Sequence, residues 1–256
     1  MRAQILTIAR YTLLEAARTR LPWLVLAAIL IAFLASLFAR EIAITESARM
    51  QTALYAASLR LASVFIIGLY VMTSMIREFN DKGLELVLSL DLPRGVYVLG
   101  KFIGFALIGT LIALAISFPL GFLAGWHETL WWMISLALEL SIVVALSLFC
   151  VVTFNHIMPA ASFLFAFYAL SRSMEAIQLI ASASPIAEAG VLHDAISFAV
   201  DAIALVLPNL DAFSETAWLV NDSFDAKAFG DVVVQSAVYV SLLLSAALFD
   251  LYRRNF

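Results

Sequence analysis

The string Gly95-Val96-Tyr97-Val98-Leu99-Gly100-Lys101-Phe102 spells G-x-x-x-x-G-K, the spacing with which a glycine-rich loop cradles phosphates. That chemistry needs a Ser or Thr after the lysine to hold magnesium, and the loop must join a strand to a helix. Here Phe102 follows, and the chain runs on into a long apolar stretch. The string is therefore not read as a nucleotide site. Cys150 is the single cysteine, which excludes an internal disulfide framework and any multi-cysteine metal site. His127, His156 and His193 stand too far apart to show metal-ligand spacing, and no nucleophile elbow, zincin helix or Ser-His-Asp order is present. Cys150 reads as a small buried residue.

Glu139, Arg172 and Glu175 are more informative, because each interrupts an otherwise apolar run. A charge placed in lipid costs about 2.5–3.5 kcal/mol on insertion scales, so such residues default to a functional or a pairing role. If two consecutive helices turn near Asn155-His156, Glu139 and Arg172 share a depth and form an ion pair. Glu175, one helical turn from Arg172, is a competing partner. Either the charges are paired structurally or they line a transport path.

The elements that position these residues follow from composition. Hydrophobic residues make up 64% of 256 positions and charged residues 13%, with a mean hydropathy of +1.00. Soluble domains run at about 45–50% apolar and about 25% charged, so the chain reads as an all-α polytopic membrane bundle. The net charge of −4 offers nothing for nucleic acid. In residues 2–20, Ile5, Ile8, Ala9, Thr12, Leu13 and Ala16 share one helical face and Thr7, Arg10 and Arg18 the other, the pattern of an interfacial helix. The charged stretch is too long for the head of a signal peptide. Six spans follow, over 22–39, 54–76, 102–124, 130–153, 159–183 and 229–251, with Arg60 placed to snorkel from the second. The 184–227 segment holds a short apolar run around Asp201, bracketed by Pro185 and Pro208. It reads as two half-inserted, re-entrant helices and not as a seventh span.

Six spans put Arg2, Arg10, Arg18, Arg20, Arg77, Lys82, Arg94, Lys101, Arg253 and Arg254 on one side, against Arg40, Arg49, Arg60 and Lys227 on the other. The positive-inside rule places the first side, with both termini and the 77–101 loop, in the cytoplasm. The acidic 184–227 segment then lies outside. Gly100/Gly104 and Gly121/Gly125 each have G-x-x-x-G spacing, which lets helices approach closely within one subunit or between two.

Within the 77–101 loop, Leu84, Val87, Leu88 and Asp91 fall at i, i+3, i+4 and i+7, which predicts a short amphipathic helix ended by Pro93. Glu78 and Gly83, then Leu86 and Leu88, then Pro93-Arg94, then Leu99-Gly100-Lys101 at the mouth of the third span resemble the coupling region of ABC-2-type transporter permeases. The order of surface helix, six spans, acidic segment and basic tail is similar to that family over most of the chain. The resemblance implies the membrane half of an ATP-driven exporter in a bacterial inner membrane. A separate ATPase subunit would dock on the span 2–3 loop through Glu78, Gly83, Leu84, Val87, Leu88, Pro93 and Arg94. ATP and magnesium would sit on that partner, with no cofactor in this chain, and a second permease copy or a paralogue would complete a dimer. The length of the 184–227 segment resembles the branch that includes permeases for nitrous oxide reductase maturation, although no Cys/Met/His cluster supports a copper or sulfur cargo.

The competing reading is a self-contained membrane protein, either an ion-coupled carrier or an intramembrane enzyme. A carrier would show inverted repeats and interrupted helices near the midplane. No internal repeat is evident.

Overall fold

The computed structural model describes residues 2–42, 46–80, 93–154, 156–183, 200, 202–203, 207–214 and 226–253. The expected coupling helix, with Gly83, Leu84, Val87 and Leu88, lies outside these residues, as do Arg254 and most of the 184–227 segment. Seven long helices follow in order: α1 (Arg2–Arg18), α2 (Leu21–Ile42), α3 (Ser47–Asn80), α4 (Arg94–Ala124), α5 (Trp126–Phe154), α6 (Ile157–Ala183) and α7 (Ala226–Arg253). A short 3-10 turn, Ala212–Ser214, precedes α7, and the described residues contain no strand.

Helices α2 to α7 are each long and apolar enough to cross a bilayer. In lipid every backbone N–H and C=O must be satisfied within the segment, and an α-helix does this alone. The chain is a multi-pass membrane protein. Several helices extend well beyond the expected spans. α3 begins at Ser47 and runs 34 residues, and α4 already starts at Arg94, capped by Pro93. The connector between them shrinks to 81–93.

The central element is α5, which packs against α3, α4, α6 and α7 and has the largest buried share of any span. α2 lies outside α3, and most of its large side chains face outward. Lipid tails are as apolar as leucine, so the helices are held by close fit rather than by escape from water. A Cβ on Gly68 would come within 2.6 Å of Leu164, and one on Gly109 within 3.3 Å of Leu140.

The same reason explains both G-x-x-x-G pairs within one chain. α1 lies along α4 with Ala9, Thr12 and Ala16 buried, while Thr7, Arg10 and Arg18 are exposed. Gly100 faces Ile8, and Gly104 faces Thr12, each leaving only 2.8 Å for a Cβ. Gly121 lies under the Trp126 ring. Gly125 has φ +97, a conformation that favours glycine, and there the chain turns from α4 into α5.

Candidate functional site

Near the midpoint of α5, Glu139 is fully buried, and its two oxygens meet side chains from two other helices. Arg60 Nη1 on α3 donates to Oε2 at 2.7 Å, and the Tyr168 hydroxyl on α6 donates to Oε1 at 2.9 Å. Arg60 does not snorkel. It is 2% exposed and turned into the bundle. α3 starts earlier than the expected span, so Arg60 lies too deep to reach an interface, and Ala56 and Ser63 on its face leave room for the guanidinium. The Trp132 ring lies 4.9 Å from Arg60 Cζ, a cation–π contact that offsets part of the cost of burial. Arg60 Nη2 is buried and has no hydrogen-bond partner among the described residues.

The expected Glu139–Arg172 pair is therefore replaced by Arg60–Glu139. α6 buries the stripe Ala160, Leu164, Tyr168 and Ser171, so Tyr168 faces Glu139 while Arg172 falls beside the stripe. Tyr168 meets Glu139, and one helical turn further along α6 stands Arg172. Its Nη1 reaches the Leu210 carbonyl at 3.5 Å and its Nε lies 4.0 Å from Asp211. Glu175, one turn on, is exposed.

Phe213, in the 3-10 turn, is also fully buried, and its carbonyl accepts from Arg60 Nη1 at 2.7 Å and from the Ser135 hydroxyl. Leu207 and Leu210 are buried with it. A stretch of mostly non-helical backbone thus reaches the depth of Glu139. Non-helical backbone in an apolar setting must find partners for its polar groups, and Arg60, Ser135 and Arg172 supply them. The cluster can hold charge and backbone together. Glu139 accepts from both Arg60 and Tyr168, so each of its oxygens is engaged inside the bundle.

A second group of polar contacts gathers at one end of the bundle, where α3 stops and α4 starts. Glu78, in the last turn of α3, pairs with Lys101 of α4, which is nearly buried. Glu15 of α1 accepts from Arg77 at 2.5 Å and from the Ser74 hydroxyl at 3.1 Å. Arg94 Nη1 donates to the Leu251 carbonyl at 2.6 Å, satisfying the C-terminal end of α7, and Thr153 donates to Asp250 at 2.7 Å. The G-x-x-x-x-G-K string lies wholly within α4, with its lysine in an ion pair and Gly100 against α1, so it forms no phosphate-cradling loop.

No family model matches this chain, and no curated protein matches it.

Of the residues singled out from sequence, Glu139 lies in the buried cluster and Arg172 at its edge, while Glu78, Pro93 and Arg94 flank the connector. The sequence reading took Arg60 as a snorkelling residue and missed Tyr168 and the Phe213 carbonyl. Arg60 carried a usable signal. A charged residue a few positions inside a span, with Ala56 and Ser63 on its face, fits an inward position better than an interfacial one. A backbone carbonyl carries no signal in sequence.

Proposed function

We propose that the chain is the permease subunit of an ABC-2-type exporter, driven by a separate ATPase subunit that docks on residues 81–92. The observation that best supports this reading is the Glu78–Lys101 pair, which ties the end of α3 to the start of α4 at the two mouths of the connector. A docking segment transmits force only if its anchors do not splay. Glu15–Arg77 adds α1 to the same frame, and Arg94 adds α7. A push on the connector would then move four helices together. In this reading α1 lies in the membrane interface and 207–214 is the tip of a re-entrant segment. The ends carrying the connector face the cytoplasm of a bacterial cell, ATP and magnesium belong to the partner, and a second permease copy completes the transporter.

The test is association. A tagged chain isolated from its own cells should bring down an ATPase subunit. Leu88→Asp or Val87→Asp should abolish that while leaving the spans inserted. ATP hydrolysis by the purified chain alone, or full transport by the Asp variants, would overturn the reading.

The buried Arg60–Glu139–Tyr168 cluster favours a second reading, an ion-coupled carrier, since ionisable groups inside a bundle often mark ion paths. It ranks lower because the carboxylate accepts from two donors and the cluster binds backbone of its own chain. A transmembrane ion gradient that drives transport without ATP would reverse that ranking.

A further inference from the structure

A groove of about 530 Å³ runs between the start of α2 and the C-terminal half of α3. Its two ends differ in chemistry. At the α1–α2 junction the walls carry Arg20 and Arg77, with Thr19 and Ser74 between them. Deeper along α3 the walls become Phe65 and Leu69, faced by Leu24 of α2. These three are 41%, 41% and 57% exposed, so the groove opens sideways, toward lipid, on two bilayer-crossing helices.

Among the described residues, the charged end is not self-neutralised. Glu15 takes Arg77 Nη2, yet the Arg77 side chain remains 56% exposed, and Arg20 is exposed at the same rim. Among the described residues, two guanidinium groups face one carboxylate at this rim, an excess of positive charge. The start of α2 adds little to it. The Leu21 amide donates to Thr19 Oγ1 at 3.3 Å, Pro22 has no amide hydrogen, and the Leu24 amide donates to the Arg20 carbonyl. Recognition would fall to the arginines, which match a phosphate by geometry as well as charge. A neighbouring groove of about 460 Å³ between α1, α2 and α4 has only apolar walls and would hold an acyl chain without selecting a headgroup.

We propose that the α2–α3 groove holds one anionic phospholipid, its phosphate between Arg20 and Arg77 and an acyl chain along Leu24, Phe65 and Leu69. A basic pocket between membrane helices, continuous with an apolar channel, has the polarity of such a lipid from end to end. A free phosphate would gain nothing from the apolar part, and a zwitterionic lipid would bring a second positive charge to the rim. The inference does not depend on whether an ATPase docks on the chain.

The test uses the full chain in bicelles of phosphatidylcholine with and without phosphatidylglycerol, counting retained lipids by native mass spectrometry. One phosphatidylglycerol should be retained in preference to phosphatidylcholine. Arg20→Gln should lower that retention by about fivefold, the worth of one basic contact to an anionic lipid. Leu69→Trp should lower it without altering charge, and Arg18→Gln, outside the groove, should leave it unchanged. Arg77→Gln is the less clean variant because it also releases Glu15. Equal losses in Arg18→Gln and Arg20→Gln would mean diffuse attraction to the surface and would overturn the proposal. So would equal retention of both lipids, a Leu69→Trp variant that keeps the lipid, or displacement by water-soluble glycerol phosphate. If Arg20→Gln fails to fold, the lipid comparison on the unaltered chain and Leu69→Trp still decide the matter.

Discussion

The Arg60 guanidinium meets the Glu139 carboxylate at 2.7 Å with both side chains inside the bundle, and through the same nitrogen it holds the Phe213 carbonyl. One buried cation therefore serves a neighbouring helix and a non-helical segment at once. Removing either charge strands the other where neither water nor lipid can solvate it.

Arg60→Met or Glu139→Met should each destabilise the folded chain by about 3–5 kcal/mol, the range for breaking a buried pair. The double variant should recover part of the loss, because no uncompensated charge remains. Thermal or denaturant unfolding in a fixed detergent measures this. Strictly additive losses would show that the two charges are not coupled.

Tyr168→Phe removes one donor to Glu139 and leaves Arg60 in place. The loss should be small, about 0.6–2 kcal/mol, as hydrogen bonds between membrane helices are worth no more than that. The same unfolding measurement would expose a larger role for Tyr168 if its variant fell as far as the charge deletions.

Arg172→Gln should cost less than about 1 kcal/mol. Its 4.0 Å approach to Asp211 is long, and both side chains reach the surface. If Arg172→Gln folds normally yet abolishes transport, the residue acts in the path and not in the scaffold.

Gly104→Val should displace α1 from α4, since the added Cβ would lie 2.8 Å from Thr12 and 3.2 Å from the Ala9 backbone. Proteolysis at Arg10 should accelerate in proteoliposomes. Gly230→Ala, where nothing lies within 4 Å, should leave that rate unchanged and stabilise α7 slightly. Equal cleavage of both variants would mean that the glycines do not hold α1.

Cysteines placed at Arg2 and Arg253 should react with an impermeant thiol reagent from the same side of the membrane. Labelling from opposite sides would remove the six-span topology.

Composition and the run of apolar residues were enough to anticipate a helical multi-pass chain with six helices, among the described residues, long and apolar enough to cross a bilayer, because backbone desolvation in lipid leaves few alternatives to helices about 20 residues long. The amphipathic face of α1 was also legible, since Arg10 and Arg18 stand opposite Ala9, Thr12 and Ala16 at helical spacing. Glu139 was recognisable as a buried charge by its isolation. Its partner was not. Inside a span nearly every position is apolar, so periodicity no longer tells which face points inward. Counting residues from a turn does not fix which side chains meet: Tyr168 reaches Glu139, while Arg172, one turn further along α6, meets the Leu210 carbonyl. Only the packed bundle set the rotation of α3 and α6, turned Arg60 and Tyr168 toward Glu139, and brought the Phe213 carbonyl within reach of Arg60.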